Sequence, residues 1–294
     1  MLQYPLLRKW LSVKPYQLTL AVILLLISSI VALDSSAVAK KSQKVRATVS
    51  QRFQKAIAVP ANASASVESG QTDPLNSPHP IPWNWIVDTQ DEVSLTQGSG
   101  VRFYRTPSLV SPDGKYAAYS RIQIQVQRDM YRSRVSSVMF VEDLSTGRLR
   151  VVNASSPLAN NPLKRNEPGD KPGVISILIP VSWSSNGDRL LGRQFEGLFN
   201  TSDASDYAVV WDRQQNRART IAPGKIKYSN AVLLGWSQVK SDQVIFRAGE
   251  LGDETPPLWA VNFGGRTVVA TKKDQPIVFG NQVKHSWAGP QAHW

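Results

Sequence analysis

Oxygen-bearing side chains that could bind a metal ion are grouped in the segment "NTSDASDY", which contains Asn200, Asp203 and Asp206. Carboxylate and amide oxygens are the ligands that Ca²⁺ takes in proteins, although the spacing here does not match an EF-hand loop. Asp, Asn and Ser also stabilise ordinary turns through hydrogen bonds to nearby backbone groups. The segment is therefore a weak calcium candidate, and a solvated turn is the simpler interpretation.

Other reactive side chains are scarce. The three histidines, His79, His285 and His293, have no spacing that is typical of a metal site. The absence of cysteine excludes disulfides, thiolate ligands and cysteine nucleophiles. The sequence also lacks a Gly-x-Ser-x-Gly elbow and a phosphate-binding glycine loop. We expect no catalytic residue and no cofactor, with enzymatic activity as the open alternative.

A long polar loop is a further candidate for binding. Residues 153–173, "NASSPLANNPLKRNEPGDKPG", carry the basic side chains Lys164, Arg165 and Lys171. Long loops on a rigid scaffold often carry binding function. A disordered insertion explains the same composition equally well.

The elements that must position these groups are short strands joined by repeated turns. "LVSPDGKYAAYS" begins at Leu109, and it resembles "SWSSNGDRLLGR" and "GWSQVKSDQVIFR" further along the chain. The pairs Asp113-Gly114 and Asn186-Gly187 occupy the same turn position. Both pairs favour tight hairpins, because their residues tolerate positive φ. They are predicted to be structural turns.

A second hairpin follows each of the first. "MFVEDLSTGRLRVV", "AVVWDRQQNRARTI" and "LWAVNFGGRTVVA" align Asp143, Asp212 and Asn262. A looser copy, "WNWIVDTQDEVSLTQ", places Asp88 at the same position. Recurrence at one position favours a structural role, such as a hydrogen bond to backbone N–H groups in the turn.

Each repeat therefore contains four strands, which predicts an all-β fold. The "SPDGKYAAY" pattern, with its Trp-Ser versions at Trp183 and Trp236, resembles the TolB-like, WD40-like β-propeller repeats. The resemblance covers about residues 83–270 and implies roughly four blades of four antiparallel strands, in a ring that could be incomplete. C-terminal strands such as "QPIVFG" and "QVKHSW" could complete the half blade at residues 83–97. Trp183 and Trp236 are expected to fill the space between blades.

The N-terminal part is predicted to be a targeting segment and a stalk. Arg8, Lys9 and Lys14 precede the apolar run 18–33, and Ala37-Val38-Ala39 forms an A-x-A site. Residues 1–39 are therefore interpreted as a signal peptide or a membrane anchor, with a helix that engages the membrane at least transiently. Residues 40–82 are basic and then rich in Ala, Ser and Pro, which predicts a flexible linker. The folded domain is expected over residues 83–294.

Charge restricts the class of partner only weakly. The net charge of +12 fits a glycan or an anionic surface. Nucleic acid is disfavoured, because the aromatic residues occupy core positions of the repeat. The prediction is an exported, non-catalytic binding or scaffolding module of the cell envelope with a protein partner. The alternative is a carbohydrate-binding protein, or a hydrolase or lyase that uses the propeller channel.

Overall fold

The computed structural model describes residues 59–60, 72–159 and 171–292, and they are mostly β-strands. One α-helix, α1, spans Trp83–Thr96, and a short 3-10 helix spans Met130–Arg132. The strands are β1 (Val59–Pro60), β2 (Gly100–Arg105), β3 (Ser108–Val110), β4 (Tyr116–Val126), β5 (Arg134–Asp143), β6 (Leu149–Val152), β7 (Val174–Trp183), β8 (Arg189–Leu198), β9 (Ala204–Asp212), β10 (Arg217–Ile221), β11 (Asn230–Ser237), β12 (Gln243–Gly249), β13 (Leu258–Asn262), β14 (Thr267–Val269), β15 (Pro276–Val278), β16 (Asn281–Val283) and β17 (Gly289–Pro290). The prediction of an all-β fold is confirmed.

Three consecutive groups of four strands form antiparallel meanders. The first unit consists of β3 to β6, the second of β7 to β10 and the third of β11 to β14. In each unit every strand pairs with the next strand along the chain. The boundaries follow the repeats in the sequence, because short polar turns separate the apolar runs.

The strands belong to two sheets. The first and second units share one sheet through a short parallel pairing of β5 with β7, in which Val135 lies opposite Ile175. The third unit lies in the other sheet, together with β1 and β15. Among the described strands neither sheet closes on itself. The fold is thus all-β with two open sheets.

Residues 83–96 form α1, so the prediction of a half blade in this segment is wrong. Ile86, Thr89, Gln90 and Val93 are its buried residues, at the spacing of one helix face. This face packs with Ile122 and other apolar residues in one core cluster. The run contains neither Gly nor Pro, and tertiary packing outweighs the strand preference of its Trp, Ile and Val residues.

The folded body begins before Trp83, which corrects the predicted boundary of the linker. Residues 72–82 pack against the strands, and the Ile81 side chain is fully buried. The segment 18–33, for which a signal or anchor helix is predicted, lies outside the described residues. Within the described residues we find no helix with the length and apolarity needed to cross a membrane.

The C-terminal strands pair with both ends of the body. β15 pairs with β11 of the third unit, β16 pairs with β3 of the first unit, and β17 pairs with β2. Between β15 and β16, the Phe279 carbonyl accepts a hydrogen bond of 3.0 Å from the Trp183 N–H of the second unit. This C-terminal strap, residues 276–283, therefore contacts all three units. It does so without pairing with residues 83–97, because that segment is helical.

Apolar side chains fill the spaces between the units. One cluster joins Ala118 and Met139 of the first unit to Leu178 and Trp211 of the second. A second cluster joins the second unit to the third. Burial of this apolar surface is the main favourable term in folding. It explains why the three meanders stack instead of standing apart.

The two repeated tryptophans link neighbouring units by the same hydrogen bond. The Trp183 indole N–H donates to the Leu109 carbonyl of the first unit at 3.0 Å. The Trp236 indole N–H donates to the Trp183 carbonyl of the second unit at 2.8 Å. Both side chains are buried. The recurring tryptophan thus fills an inter-unit space and satisfies a backbone carbonyl there.

Candidate functional site

The Asp113-Gly114 pair lies in the turn between β3 and β4. Gly114 has φ of +68°, and its N–H donates to the Ser111 carbonyl at 2.9 Å. The Asp113 carboxylate accepts hydrogen bonds from the Ser111 hydroxyl at 2.6 Å and from the Lys115 N–H at 3.2 Å. Asp113 is therefore occupied by turn contacts. Asn186 and Gly187 lie in the matching turn of the second unit, where Gly187 has φ of +73°.

The recurring side chains of Asp143, Asp212 and Asn262 also stabilise turns by accepting hydrogen bonds from backbone N–H groups. Asp143 accepts from the Ser145 N–H at 3.0 Å, and Asp212 accepts from the Gln215 N–H at 2.8 Å. Asn262 accepts from the Gly264 and Arg266 N–H groups at 3.0 and 2.8 Å. Asp88 differs, because it lies within α1 and not in a turn.

An ion pair connects the first turn to the second unit. Arg213 donates to Asp113 at 2.9 Å, and its guanidinium lies 4.0 Å from the Tyr116 ring centre. Burial alone would raise the pKa of Asp113, but the Ser111 hydroxyl and Arg213 hold it below its usual value. The turn carboxylate thus contributes to packing between units.

The three candidate calcium ligands do not form a site. Asp206 lies in β9 with a fully buried side chain that bonds to Arg193 at 2.8 Å. Asn200 occupies a turn with φ of +62°, and Asp203 is exposed. No group of three or more His, Cys, Asp or Glu residues that could hold a metal ion occurs in the described part of the chain. The strand period separates Asp206 from the loop, because it turns this side chain into the core.

Arg193 is the centre of a buried ionic cluster that the sequence did not reveal. Its guanidinium donates to Asp206 at 2.8 Å and to Asp73 at 2.7 and 3.1 Å. Its third partner is the His79 carbonyl at 2.7 Å. The side chains of Arg193 and Asp206 are fully buried, and that of Asp73 is 3% exposed. One cation is therefore shared by two carboxylates inside the protein.

Backbone N–H groups donate further hydrogen bonds to both carboxylates of the cluster. Asp73 accepts from the N–H groups of Leu75, Ser77 and Ile81, and Asp206 accepts from the Leu233 N–H at 2.9 Å. Buried charges are tolerated where such partners are complete. The cluster is saturated, so it has the character of a structural joint and not of a reactive site.

The pKa values of Asp206, Asp73 and His79 are shifted in different directions. Burial raises the pKa of Asp206 to about 6 against the influence of Arg193. Burial also acts on Asp73, but Arg193 and the Ile81 and Ser77 N–H groups hold its pKa below the usual value. Burial lowers the pKa of His79 to about 4. Its Nε2 lies 2.9 Å from the Leu234 carbonyl, and because a carbonyl only accepts, Nε2 carries the proton of the neutral ring.

Aromatic rings from the first unit and from the C-terminal segment pack around the guanidinium of Arg105, which lies at the end of β2. The Arg105 guanidinium lies 3.8 Å from the Tyr119 ring centre and 5.8 Å from that of Trp287. Tyr119 stacks on Phe140 with ring centres 5.5 Å apart, and Val151 pairs with Phe140 on the next strand. We call these five residues the aromatic face. Trp287 is 54% exposed and Val151 is 41% exposed, so the face offers apolar surface to solvent.

The polar loop after β6 is anchored at its start. The Ser156 hydroxyl and the Leu158 N–H donate to Glu196 of β8, the second at 3.0 Å. Burial raises the pKa of Glu196 above its usual value. Of the candidate loop residues Lys171 is exposed, whereas Lys164 and Arg165 lie outside the described residues.

Comparison with known proteins identifies no family. No protein-family model matches the chain, and no curated protein matches it. Among solved structures, one from a structural and mechanistic analysis of two prolyl endopeptidases is similar, with 12% identity and a TM-score of 0.31. The alignment covers 69% of this chain, which spans 28% of that chain's length. A similarity of this strength carries no argument about fold or function.

Proposed function

We propose that this chain is an exported or membrane-anchored, non-catalytic module that binds a protein partner at the cell envelope. We further propose that its three meanders are blades of the TolB-like, WD40-like type in an incomplete ring. The proposal of blades is supported by the repeated indole hydrogen bonds between neighbouring units. Export is supported by the basic start, the apolar run 18–33 and the A-x-A site.

The proposal of a non-catalytic role rests on the bonding of the polar side chains. The recurring carboxylates of the turns bind backbone N–H groups, and the buried carboxylates bind Arg193. The place where the units meet is occupied by Trp183 and the C-terminal strap. A reactive site needs a partly exposed group whose bonding capacity is not already used. These groups do not meet that condition.

The aromatic face is the surface that we propose for the partner. Aromatic residues and arginine are enriched in protein interfaces and account for much of their binding energy. Arg105 is held in place by the Ser108 hydroxyl at 3.2 Å and by the Thr106 carbonyl at 3.2 Å. Arg105 is buried, so its part is to fix the rings of Tyr119 and Trp287, and a surface that is already ordered loses little entropy on binding.

The alternative is a carbohydrate-binding protein. The exposed Trp287 favours it, because large rings with one accessible edge also line small-molecule sites. Immobilised full-length chain is exposed to envelope extract and, separately, to a panel of purified polysaccharides. Recovery of one protein without retention of a glycan supports the proposal. Retention of one glycan with no protein contradicts it and supports the alternative.

A further inference from the structure

β6, the outermost strand of the first unit, has one unpaired edge. Among the described strands it pairs only with β5. The Asp143 N–H donates to the Arg148 carbonyl at 2.9 Å where this ladder begins. Hydrogen-bonded and non-bonded pairs alternate along an antiparallel ladder, so the N–H and C=O groups of Leu149 and Val151 point away from β5. The edge therefore presents the backbone donors and acceptors of two residues.

The corresponding strands of the other two units are approached by the chain itself. The Ser155 N–H donates to the Thr220 hydroxyl on β10 at 2.7 Å, and the Gly224 N–H donates to the Thr267 hydroxyl on β14 at 2.9 Å. In the part of the chain that the structure describes, no group bonds to the outward backbone groups of β6. The open edge of β6 is therefore a template for a further strand, as unpaired edges generally are.

The two sides of β6 differ in chemistry. Leu149 is 51% exposed, and Val151 is exposed beside Phe140 in the aromatic face. On the opposite side the Arg150 guanidinium lies 6.0 Å from the ring centre of Trp211 in the second unit. Successive side chains of a strand point to opposite sides. A strand added to β6 would therefore place alternate side chains against an apolar surface and beside arginine.

The outer edges of the first two units are basic. Four arginines belong to β6, to β10 or to the turn before β6: Arg148, Arg150, Arg217 and Arg219. Val152 of β6 and Ala218 of β10 contact one apolar cluster, so the two strands lie close together. Neither strand contains Asp or Glu, and none of the four arginines forms an ion pair with a described acid. Glu142 of β5 lies on the apolar side, opposite Leu149, so the arginine side of the edge favours negative charge.

We propose that the edge of β6 receives an extended strand of the partner protein, in which apolar and acidic residues alternate. The backbone of that strand bonds to Leu149 and Val151, its apolar side chains extend the aromatic face, and its carboxylates lie beside the arginines. A second copy of this chain is disfavoured at this edge, because it would bring the same arginines and its own net charge of +12. The proposal rests on the proposed function, since Val151 belongs to the aromatic face.

Hydrogen exchange of the full chain, read at single residues by mass spectrometry with electron-transfer fragmentation, tests the edge. The probe is a short synthetic peptide of alternating Val and Glu. When free peptide exceeds its Kd about tenfold, the Leu149 and Val151 amides should exchange about 10-fold more slowly, because only the unbound chain exchanges. The Arg150 and Val152 amides already bond to β5 and should not change. A peptide of the same composition with Val and Glu in separate blocks should give no protection, and neither should a peptide of alternating Val and Lys.

Val151→Pro removes the outward N–H and leaves the bonds of the neighbouring residues to β5 in place, as proline is tolerated at strand edges. It should abolish the protection of Leu149 by the peptide. Val269→Pro is the matched control and should behave like the wild type, because Val269 lies on the outermost strand of the third unit with its N–H also pointing outward. Protection is measured in the wild type without any substitution, so a variant that folds poorly does not remove the test.

Three results would overturn the strand site: no protection by the alternating peptide at any soluble concentration, equal protection by either control peptide, or unchanged protection in Val151→Pro. Recovery of one envelope protein without protection by the alternating peptide would leave the proposed function and reject this way of binding. Protection by that peptide without recovery of any protein would support the edge site and contradict the proposed envelope partner.

Discussion

Turn residues are the part of this protein that local sequence predicts well. Asp113-Gly114 and its repeat Asn186-Gly187 predict turns, and Gly114 has φ of +68° and Gly187 φ of +73°. Arg193 shows the opposite case, because its partner Asp73 is 120 residues away in the chain. No spacing rule connects an arginine in a strand with an aspartate of an apparently flexible linker. For the same reason the sequence groups Asp206 with the loop residues Asn200 and Asp203, whereas the structure places it in β9.

Replacement of Gly114 tests the turn at the residue scale. Gly114→Val should lower the free energy of unfolding by about 1–2 kcal/mol, because side chains with a Cβ disfavour left-handed backbone. Nothing lies within 4 Å of the added Cβ, so no clash contributes. Gly114→Asn is the control and should lose less, since Asn tolerates this conformation. Urea denaturation measures both, and an unchanged Gly114→Val variant contradicts the turn assignment.

Arg193 tests the buried cluster. Arg193→Met should destabilise the fold by about 3–5 kcal/mol, because it leaves two buried carboxylates without their cation. Arg189→Met is a matched control, since Arg189 pairs with Asp212 at 3.9 Å and is partly exposed. The control should lose about 1 kcal/mol or less. If urea denaturation gave a similar decrease in the free energy of unfolding for the two variants, the buried cluster would not be a structural joint.

Secondary-structure elements can be predicted where the spacing of apolar residues and the turn sequences indicate the same element. The strands of the three meanders meet both conditions, and their repeated turns predict them. In α1 the local signal points the wrong way, because "WNWIV" is rich in residues that favour strands and so predicts a strand. Its identity depends on the face formed by Ile86 and Val93, which packs on strands distant in sequence. The pairing of β16 with β3 was equally hidden, since short C-terminal strands carry no signal for their partner.

The C-terminal strap can be tested at Gly280. A Cβ at this position would lie 2.8 Å from the Val110 carbonyl oxygen and 3.0 Å from Trp183 Cδ1. Gly289 is a matched control, because its φ of +106° is close to the +108° of Gly280 and its Cβ would meet nothing within 4 Å. Gly280→Ala should therefore cost about 1–3 kcal/mol more than Gly289→Ala in urea denaturation. Equal costs would mean that the strap does not pack against the first and second units.

The polar loop belongs to the scale of the whole molecule. Replacing residues 160–170 by a Gly/Ser stretch of equal length leaves Ser156 and Leu158 bound to Glu196. The melting temperature should stay within about 2 °C of the wild type, as for surface changes that cost less than about 0.5 kcal/mol. Thermal unfolding measures this melting temperature. Failure of the variant to fold would show that the loop is part of the core, which contradicts the prediction.

Export is also a property of the whole chain. If residues 1–39 act as a cleaved signal, the mature protein begins at Lys40 after the A-x-A site. Mass spectrometry of the N-terminus in the producing cell measures this directly. A chain that begins at Met1 contradicts cleavage and leaves the anchored form of the proposal.

The proposed role as a binding module depends most on the aromatic face. A photo-crosslinking amino acid at position 287 of the full chain, activated in intact cells, should yield an adduct with one envelope protein. The same group at position 251, where Leu251 is 72% exposed in a turn of the third unit, should yield none. No protein adduct at position 287, or the same adducts at both positions, would contradict a protein partner at this face.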